Sequence, residues 1–173
     1  MMTLVLGASS SGKSALAESL AVQYGAAPRY YLATMHHGSE ETERRIARHR
    51  AMRQSKGFIT VEQPLDVGAL CLPPDSVCLL ECLSNLVANE LYDRTPPEQP
   101  TEKLLHDLNV LHAGVRALVI VSNDVFSDGA QYDAFCTRYL EVLGELNRAI
   151  AHRADVVIES VAGLPFYHKG ARK

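Results

Sequence analysis

The sequence predicts a single α/β domain in which a mostly parallel β-sheet carries helices on both faces. Short apolar runs alternate along the chain with longer segments whose apolar residues recur every three or four positions. Parallel strands buried on both faces have such apolar runs, and they need helical crossovers between them. A length of 173 residues, with 47% hydrophobic and 21% charged residues, fits one globular domain over residues 1–173.

Residue patterns in the first half of the chain predict four strands and two helices. Lys13–Tyr24 has helical spacing of its apolar residues and is ended by Gly25. A charged segment from Ser39 to Arg53 has acidic residues first and arginines later, the order that the helix dipole favours. The strands are the compact apolar or aromatic runs Thr3–Leu6, Arg29–Ala33, Phe58–Val61 and Ser76–Glu81.

The second half predicts two more strands and three helices. The prolines of 95–100 indicate a surface loop, and Gly163, Pro165 and Gly170 indicate an irregular tail. The strands are Ala117–Ser122 and Asp155–Ser160. The helices are the stretch that follows the fourth strand as far as Tyr92, then Glu102–Gly114 and Tyr132–Arg153.

A phosphate-binding motif follows the first predicted strand. The segment Gly7-Ala8-Ser9-Ser10-Ser11-Gly12-Lys13-Ser14 matches the P-loop pattern GxxxxGK[ST] between a strand and a helix. Its glycines allow backbone amides to turn inward, and the helix N-terminus adds positive partial charge. We expect Lys13 to reach the β- and γ-phosphates and the Ser14 hydroxyl to coordinate Mg²⁺. The alternative is an ordinary Gly/Ser-rich turn; the strand-to-helix context favours a nucleoside triphosphate site.

A second acidic residue usually helps to hold the magnesium of such a site, from the end of another buried strand. Glu81 ends the run VCLLE, and Asp124 follows the run ALVIVSN. Either carboxylate is a candidate for this role, and Glu81 is the stronger one. The alternative for each is a carboxylate that caps the next helix.

Histidines provide candidate nucleophiles. His49 lies four residues from both Arg45 and Arg53, so the three side chains share one face of the predicted helix. Such a face suits a polyphosphate, and neutral imidazole is able to attack its α-phosphorus. From the spacing alone, a solvated basic face with an incidental histidine is the stronger alternative. His36 and His37 follow a strand end and are either functional or ordinary surface residues.

Charge and composition limit the expected binding partners and the expected cellular compartment of the protein. The net charge of -3 gives no general attraction to nucleic acid or to an anionic membrane. The N-terminal apolar run is too short to span a bilayer, so we expect no stable membrane insertion. The four cysteines lack CxxC spacing and are expected to be free thiols. These features favour a cytoplasmic protein.

The ordered segments of the chain resemble one enzyme family. They are the P-loop, RYYLAT, ERRIARHRAMR, TVEQP, LLECLSNLVANEL, VSNDV and LGELNRAIAHRADVVIESVAGLP. From Met1 to about Lys169 the chain resembles the bifunctional adenosylcobinamide kinase and adenosylcobinamide-phosphate guanylyltransferase family. The resemblance implies a RecA-like P-loop NTPase fold and a homotrimer. It also implies phosphorylation of a corrinoid hydroxyl by GTP or ATP, and then transfer of GMP from GTP through a guanylylated histidine.

The resemblance also assigns residue roles. The family segment RI-x-x-H-[RK] falls on 45–50, which gives His49 the nucleophile role. Lys13 keeps its catalytic role in the P-loop, and Ser14 and Glu81 keep the Mg²⁺ role expected from the P-loop pattern. Besides Gly7 to Ser14, the implied nucleotide contacts are Thr34, Met35, His36, Arg50, Ala51, Met52, Arg53, Glu62 and Glu81.

The sequence departs from the family pattern in two places. Ala8 and Ser10 replace a glycine and an arginine that many members carry in the P-loop, but neither holds a fixed P-loop position. The stretch 123–129 reads NDVFSDG where the family often has Asn-Glu-Val-Gly-x-Gly, which is expected to reshape a substrate loop. The alternative functions are a plain small-molecule kinase and a non-catalytic nucleotide-binding switch.

Overall fold

The computed structural model describes residues 1–36, 47, 56–93, 95–125 and 132–170. Its sheet has seven strands in the order β3-β2-β4-β5-β1-β6-β7. Neighbours among the first six are parallel, and β7 runs antiparallel to β6. The strands are β1 Met2–Leu6, β2 Arg29–Ala33, β3 Phe58–Glu62, β4 Val77–Glu81, β5 Ala117–Val121, β6 Val156–Val161 and β7 Leu164–Lys169.

Helices cover both faces of this sheet, which confirms the predicted architecture. One face packs Val5, Leu79 and Val119 against Ala17 and Ala21 of the first helix. The alternate strand residues face the other three α-helices of the described ranges, which bury a larger set of leucines. The helices are α1 Lys13–Gln23, α2 Leu83–Tyr92, α3 Pro100–Ala113 and α4 Ala134–Arg153, with a 3₁₀ turn at Val67–Ala69.

The helix ends follow from local chemistry. Pro100 opens α3, where its fixed φ and missing N–H cost nothing. The Asp133 carboxylate accepts a hydrogen bond from the Cys136 N–H at 2.8 Å and so caps α4. That bond lowers the pKa of Asp133. His152 and Arg153 occupy the last turn of α4, where the helix dipole favours positive charge.

A partly buried ionic cluster joins the 3₁₀ turn to α2 and α3. The Lys103 ammonium lies 2.7 Å from Asp66, 2.9 Å from Asp107 and in direct contact with Glu90, whose side chain is fully buried. Burial alone lowers the pKa of Lys103, but its hydrogen bonds to the three carboxylates outweigh burial and raise that pKa. The ammonium therefore stabilises three carboxylates that come from three separate elements.

The prediction of an irregular tail was wrong, because this segment forms β7. Ala162 and Gly163 have φ of 49° and 82°, so they make the two-residue turn with positive φ that joins antiparallel strands. Pro165 is tolerated because β7 is an edge strand. The isolated glycines and proline suggested a loop, although here they mark the turn and the sheet edge.

The other described strands and α-helices match the predicted ones within two residues at their ends, apart from α2, for which only the end at Tyr92 was predicted, and the 3₁₀ turn was not predicted. The predicted helix from Ser39 to Arg53 falls almost entirely outside the described residues. Within the described ranges, none of the helices combines the length and apolarity needed to cross a bilayer.

Candidate nucleotide-binding site

The P-loop leaves β1 and leads into α1, as predicted. A Cβ atom added to Gly7 would lie 2.4 Å from the Ser11 Oγ and 2.8 Å from the Ser160 carbonyl oxygen. No side chain fits there, so the backbone is able to pack tightly around the loop. Gly12 has φ of 88°, a left-handed conformation that favours glycine, and directly precedes α1. The loop is therefore a compact backbone cradle at a helix N-terminus, a geometry that binds anions.

Lys13 lies across this cradle. Its side chain is 9% exposed, and its Nζ donates a hydrogen bond to the Ala8 carbonyl oxygen at 3.0 Å. The amide of Ser11 also donates to the Ala8 carbonyl, at 3.2 Å. The ammonium is thus held over the concave side of the loop, where it would meet the phosphates of a bound nucleotide.

Ser14 and Glu81 come together beneath the loop. Ser14 is in the first turn of α1, Glu81 ends β4, and the Ser14 hydroxyl donates directly to Glu81 Oε1. A hydroxyl and a carboxylate are hard oxygen donors, so this donor set fits Mg²⁺. Asp124 follows β5, and its backbone N–H donates to the Gly7 carbonyl oxygen at 3.1 Å. Of the two candidate carboxylates, Glu81 is the one in contact with Ser14.

Thr34 fixes the chain directly after Glu81. Its hydroxyl donates to the Cys82 carbonyl and accepts from the Cys82 N–H, both at 2.8 Å. The Asn89 side chain donates to the Thr34 carbonyl at 2.7 Å. Thr34 is fully buried, so its observed role is to hold the end of β4. The nucleotide contact implied for Thr34 stays a prediction.

Three further predicted contacts lie at the carboxyl edge of the sheet. Ala33, the last residue of β2, is in register with Glu62 on one side and with Glu81 on the other. Met35 and His36 follow β2 at the same edge, and His36 Nε2 lies 2.8 Å from the Asp93 carboxylate. In parallel sheets this edge is where ligands bind, so these residues are placed on the side of the P-loop.

The remaining predicted residues lie outside the described part of the chain. They are His49, the proposed nucleophile, the contacts Arg50, Ala51, Met52 and Arg53, and the second loop histidine, His37. Their roles stay predictions.

Ser84 connects the end of β4 to β5 and α4. Its hydroxyl lies 2.9 Å from the Cys82 Sγ and accepts from the Asn123 side chain at 2.7 Å. Burial raises the pKa of the Cys82 thiol, and burial raises the pKa of Tyr139 to about 12. Both groups are therefore neutral near pH 7, and Cys82 is a structural thiol rather than a nucleophile.

Sequence reasoning missed the support that the β6–β7 hairpin gives to the P-loop. The Ser11 carbonyl accepts from the Ser160 hydroxyl at 2.8 Å and from the Gly163 N–H at 2.9 Å. A Cβ on Gly12 would lie 3.1 Å from the Cα of Gly163, so two glycine backbones pack against each other here. The alternation in VAGLPFYHK around Ala162-Gly163 was the available signal for this hairpin.

Comparison with known proteins agrees with this geometry. Residues 3–167 match the family described as "Cobinamide kinase / cobinamide phosphate guanyltransferase". The chain is 37% identical to the bifunctional adenosylcobalamin biosynthesis protein CobP of Pseudomonas aeruginosa, over 98% of both chains. It is 31% identical to the corresponding CobU protein of Salmonella typhimurium, over 95% of this chain and 97% of that protein.

Solved structures with low identity share the fold. A type III secretion system ATPase has a TM-score of 0.55 and 13% identity, covering 99% of this chain and 59% of its own. A Pyrococcus horikoshii OT3 protein has a TM-score of 0.56 and 9% identity, covering 99% of this chain and 87% of its own. With the P-loop between β1 and α1, these likenesses identify a RecA-like P-loop NTPase fold.

Proposed function

The chain belongs to the cobinamide kinase / cobinamide phosphate guanyltransferase family, and we propose that its P-loop and His49 divide the two reactions between them. It is a bifunctional enzyme of cobalamin biosynthesis that phosphorylates cobinamide and transfers a guanylyl group to cobinamide phosphate. The proposal concerns which side chains perform each step.

The convergence of Lys13, Ser14 and Glu81 at one P-loop supports the kinase assignment. Transfer of a γ-phosphoryl group needs positioning and charge stabilisation more than covalent chemistry from the protein. Lys13 would neutralise charge on the β- and γ-phosphates of GTP or ATP. Ser14 and Glu81 would hold Mg²⁺, which when bound supplies further positive charge beside those phosphates. The acceptor is the aminopropanol hydroxyl of adenosylcobinamide.

His49 is proposed to carry the guanylyl group. Its imidazole nitrogen attacks the α-phosphorus of GTP, an N–P bond forms, and pyrophosphate leaves with the electron pair of the broken P–O bond. A phosphate oxygen of adenosylcobinamide phosphate then attacks the same phosphorus, which frees His49 and forms adenosylcobinamide-GDP. The match of residues 45–50 to the family segment RI-x-x-H-[RK] supports this assignment. Arg45 and Arg53, four residues to either side of His49, would stabilise charge on the triphosphate.

The remaining nucleotide contacts are proposed on the same basis. Thr34, Met35, His36 and Glu62 lie at or beside the strand ends at the P-loop edge, while Arg50, Ala51, Met52 and Arg53 follow His49 in sequence.

We propose that the protein is a homotrimer and that it is cytoplasmic. Half-exposed Leu164 and Phe166 on β7 offer apolar surface that self-association would cover, and the four free cysteines suit a reducing compartment.

Intact-mass spectrometry after incubation with GTP and Mg²⁺ tests the histidine step. We expect a mass increase of one GMP that is lost in acid and absent in His49→Asn. His106→Asn is the matched control, because His106 is an exposed histidine on α3. An adduct that persists in His49→Asn and maps to His36 or His37 would move the nucleophile. Normal phosphate transfer with no adduct on the wild-type protein would indicate a plain kinase. Nucleotide binding without turnover would indicate a switch module.

A further inference from the structure

An acid-lined cavity lies beside the P-loop, on the side away from β4. Its volume is about 580 Å³, and it is bounded by α4, by the last residue of β1 and by Glu159 of β6. Four carboxylates line it, those of Asp124, Glu141, Glu145 and Glu159. Arg148 also lines it, so among the described lining residues acidic groups outnumber basic ones. An acidic wall attracts ligands with amide donors or positive charge rather than a second polyphosphate.

A second, more apolar cavity of about 590 Å³ adjoins the first. It reaches Ser9 of the P-loop, and its walls include Tyr132, Tyr139 and Leu140. Asp124 and Leu140 line both cavities, so the two spaces meet at these residues. Together they form a two-lobed cleft that begins at the P-loop and follows α4.

The sheet order fixes Asp124 at the point where this cleft meets the phosphate site. Strand β5 lies between β1, which leads into the P-loop, and β4, which ends in Glu81. The Asp124 N–H donates to the Gly7 carbonyl at 3.1 Å, and the preceding Asn123 is tied to Ser84 at 2.7 Å. The chain as far as Asp124 is therefore held by the site itself, while the Asp124 residue is exposed and lines both lobes of the cleft.

We propose that Asp124 is the catalytic residue that orients the acceptor hydroxyl and takes its proton in the kinase reaction, with the corrinoid seated in the two-lobed cleft. This inference rests on the kinase activity of the proposed function. The hydroxyl oxygen attacks the γ-phosphorus and forms an O–P bond. The bond from that phosphorus to the β–γ bridging oxygen breaks, and the nucleoside diphosphate leaves with the electron pair. The hydroxyl proton passes to an Asp124 carboxylate oxygen and then to water.

The chemistry of the acceptor fits the cleft. A corrinoid combines a large apolar ring with amide side chains at its rim. Amide N–H groups donate to carboxylates, which suits Glu141 and Glu159, and the ring suits the lobe with Tyr139 and Leu140. Glu159 also lies 2.9 Å from His168 and Glu141 3.6 Å from Arg138, and each carboxylate has a second oxygen to accept from an amide. Ser14 and Glu81 lie in contact on the other side of β5, so the metal role and the proton-accepting role fall to different carboxylates.

The test compares Asp124→Asn with wild type in both half-reactions. Phosphate transfer is followed with γ-labelled nucleotide and adenosylcobinamide, and guanylylation of the protein with α-labelled GTP. We expect kcat for phosphate transfer to fall about 100-fold, near the lower end of general-base effects. The nucleotide KM, the Mg²⁺ dependence and the guanylylation rate should not change. Asp75→Asn, an exposed aspartate in the turn before β4, is the control and should behave as wild type.

Two results would overturn the proposal. One is wild-type kcat in folded Asp124→Asn. The other is a parallel loss of both half-reactions with an altered Mg²⁺ requirement, which would place Asp124 in the metal site. The guanylyl-histidine proposal has a separate readout. If it is wrong, the wild-type protein forms no GMP adduct, and the comparison of kinase rates is unaffected. For the cleft, Glu141→Gln should raise the KM for adenosylcobinamide several-fold at constant kcat, and an unchanged KM would contradict the docking site.

Discussion

The hydroxyl of Ser14 donates a hydrogen bond to the carboxylate of Glu81, across 67 positions of sequence. The two residues belong to α1 and β4, and β5 separates β4 from the P-loop strand β1. This contact brings two hard oxygen donors together below Lys13. It therefore defines where a cation would sit relative to the phosphates.

Replacing Glu81 by glutamine is expected to raise the Mg²⁺ concentration needed for half-maximal turnover. The amide keeps the side-chain shape but loses the charge that a divalent ion requires. Turnover titrated against Mg²⁺ measures the effect, and exposed Glu98→Gln is the control. An unchanged magnesium requirement would remove Glu81 from the metal site.

Replacing Lys13 by alanine is expected to lower kcat by about 10²–10³-fold, because the transferring phosphates lose a positioned counter-charge. Turnover and thermal unfolding should be measured on the same preparation, so that loss of activity is separated from loss of fold. Arg116→Ala removes an exposed cation at the amino end of β5 and should leave turnover unchanged. Normal rates in folded Lys13→Ala would contradict the P-loop assignment.

Gly163→Ala is expected to lower the free energy of unfolding by about 1–2 kcal/mol, since alanine resists the left-handed conformation at φ 82°. Nothing lies within 4 Å of the added Cβ, so the cost comes from the backbone rather than from a clash. Gly163→Asn is the matched variant, because asparagine tolerates this conformation better. Chemical denaturation measures both, and equal losses in the two variants would show that another effect operates.

Lys103→Met is expected to destabilise the fold by about 2 kcal/mol or more, because buried Glu90 loses its ammonium partner. Since the pKa of Lys103 is raised in the folded state, its stabilising effect is complete below the unfolded pKa of about 10.5 and is lost as pH rises through the folded value. The stability difference between wild type and Lys103→Met should therefore shrink in strongly alkaline solution.

Unfolding curves at pH 8 and at increasing alkaline pH measure this difference. Glu102→Gln, an exposed change on the same helix, should alter stability by less than about 0.5 kcal/mol. A difference that stays constant or grows with pH would contradict the assigned role of Lys103.

Local patterns predicted most of the fold and the placement of the P-loop and Glu81 at one edge of the sheet. The P-loop depends on eight consecutive residues, and the strands show as apolar runs, so both were visible in the sequence. Glu81 was identified because the carboxyl ends of parallel strands meet at one edge of a sheet.

Contacts between residues far apart in the sequence could not be predicted from local patterns. The Lys103 cluster draws on positions 66, 90, 103 and 107, and only Lys103 and Asp107 have helical spacing. Thr34 was predicted as a nucleotide contact by resemblance, but its bonds to Cys82 depend on the pairing of β2 with β4. The support of Ser11 by Ser160 depends on a hairpin whose turn lacks the usual Asn-Gly signal.

The position of β1 determines when the nucleotide site is completed during protein synthesis. The P-loop sequence is made more than 100 residues before β5 and β6, the two strands that pair with β1 in the described sheet. The Ser160–Ser11 bond spans 149 positions. A nascent chain that ends before β5 therefore carries the whole P-loop motif without the two strands that flank β1, so the loop takes its final shape only after long-range strand pairing.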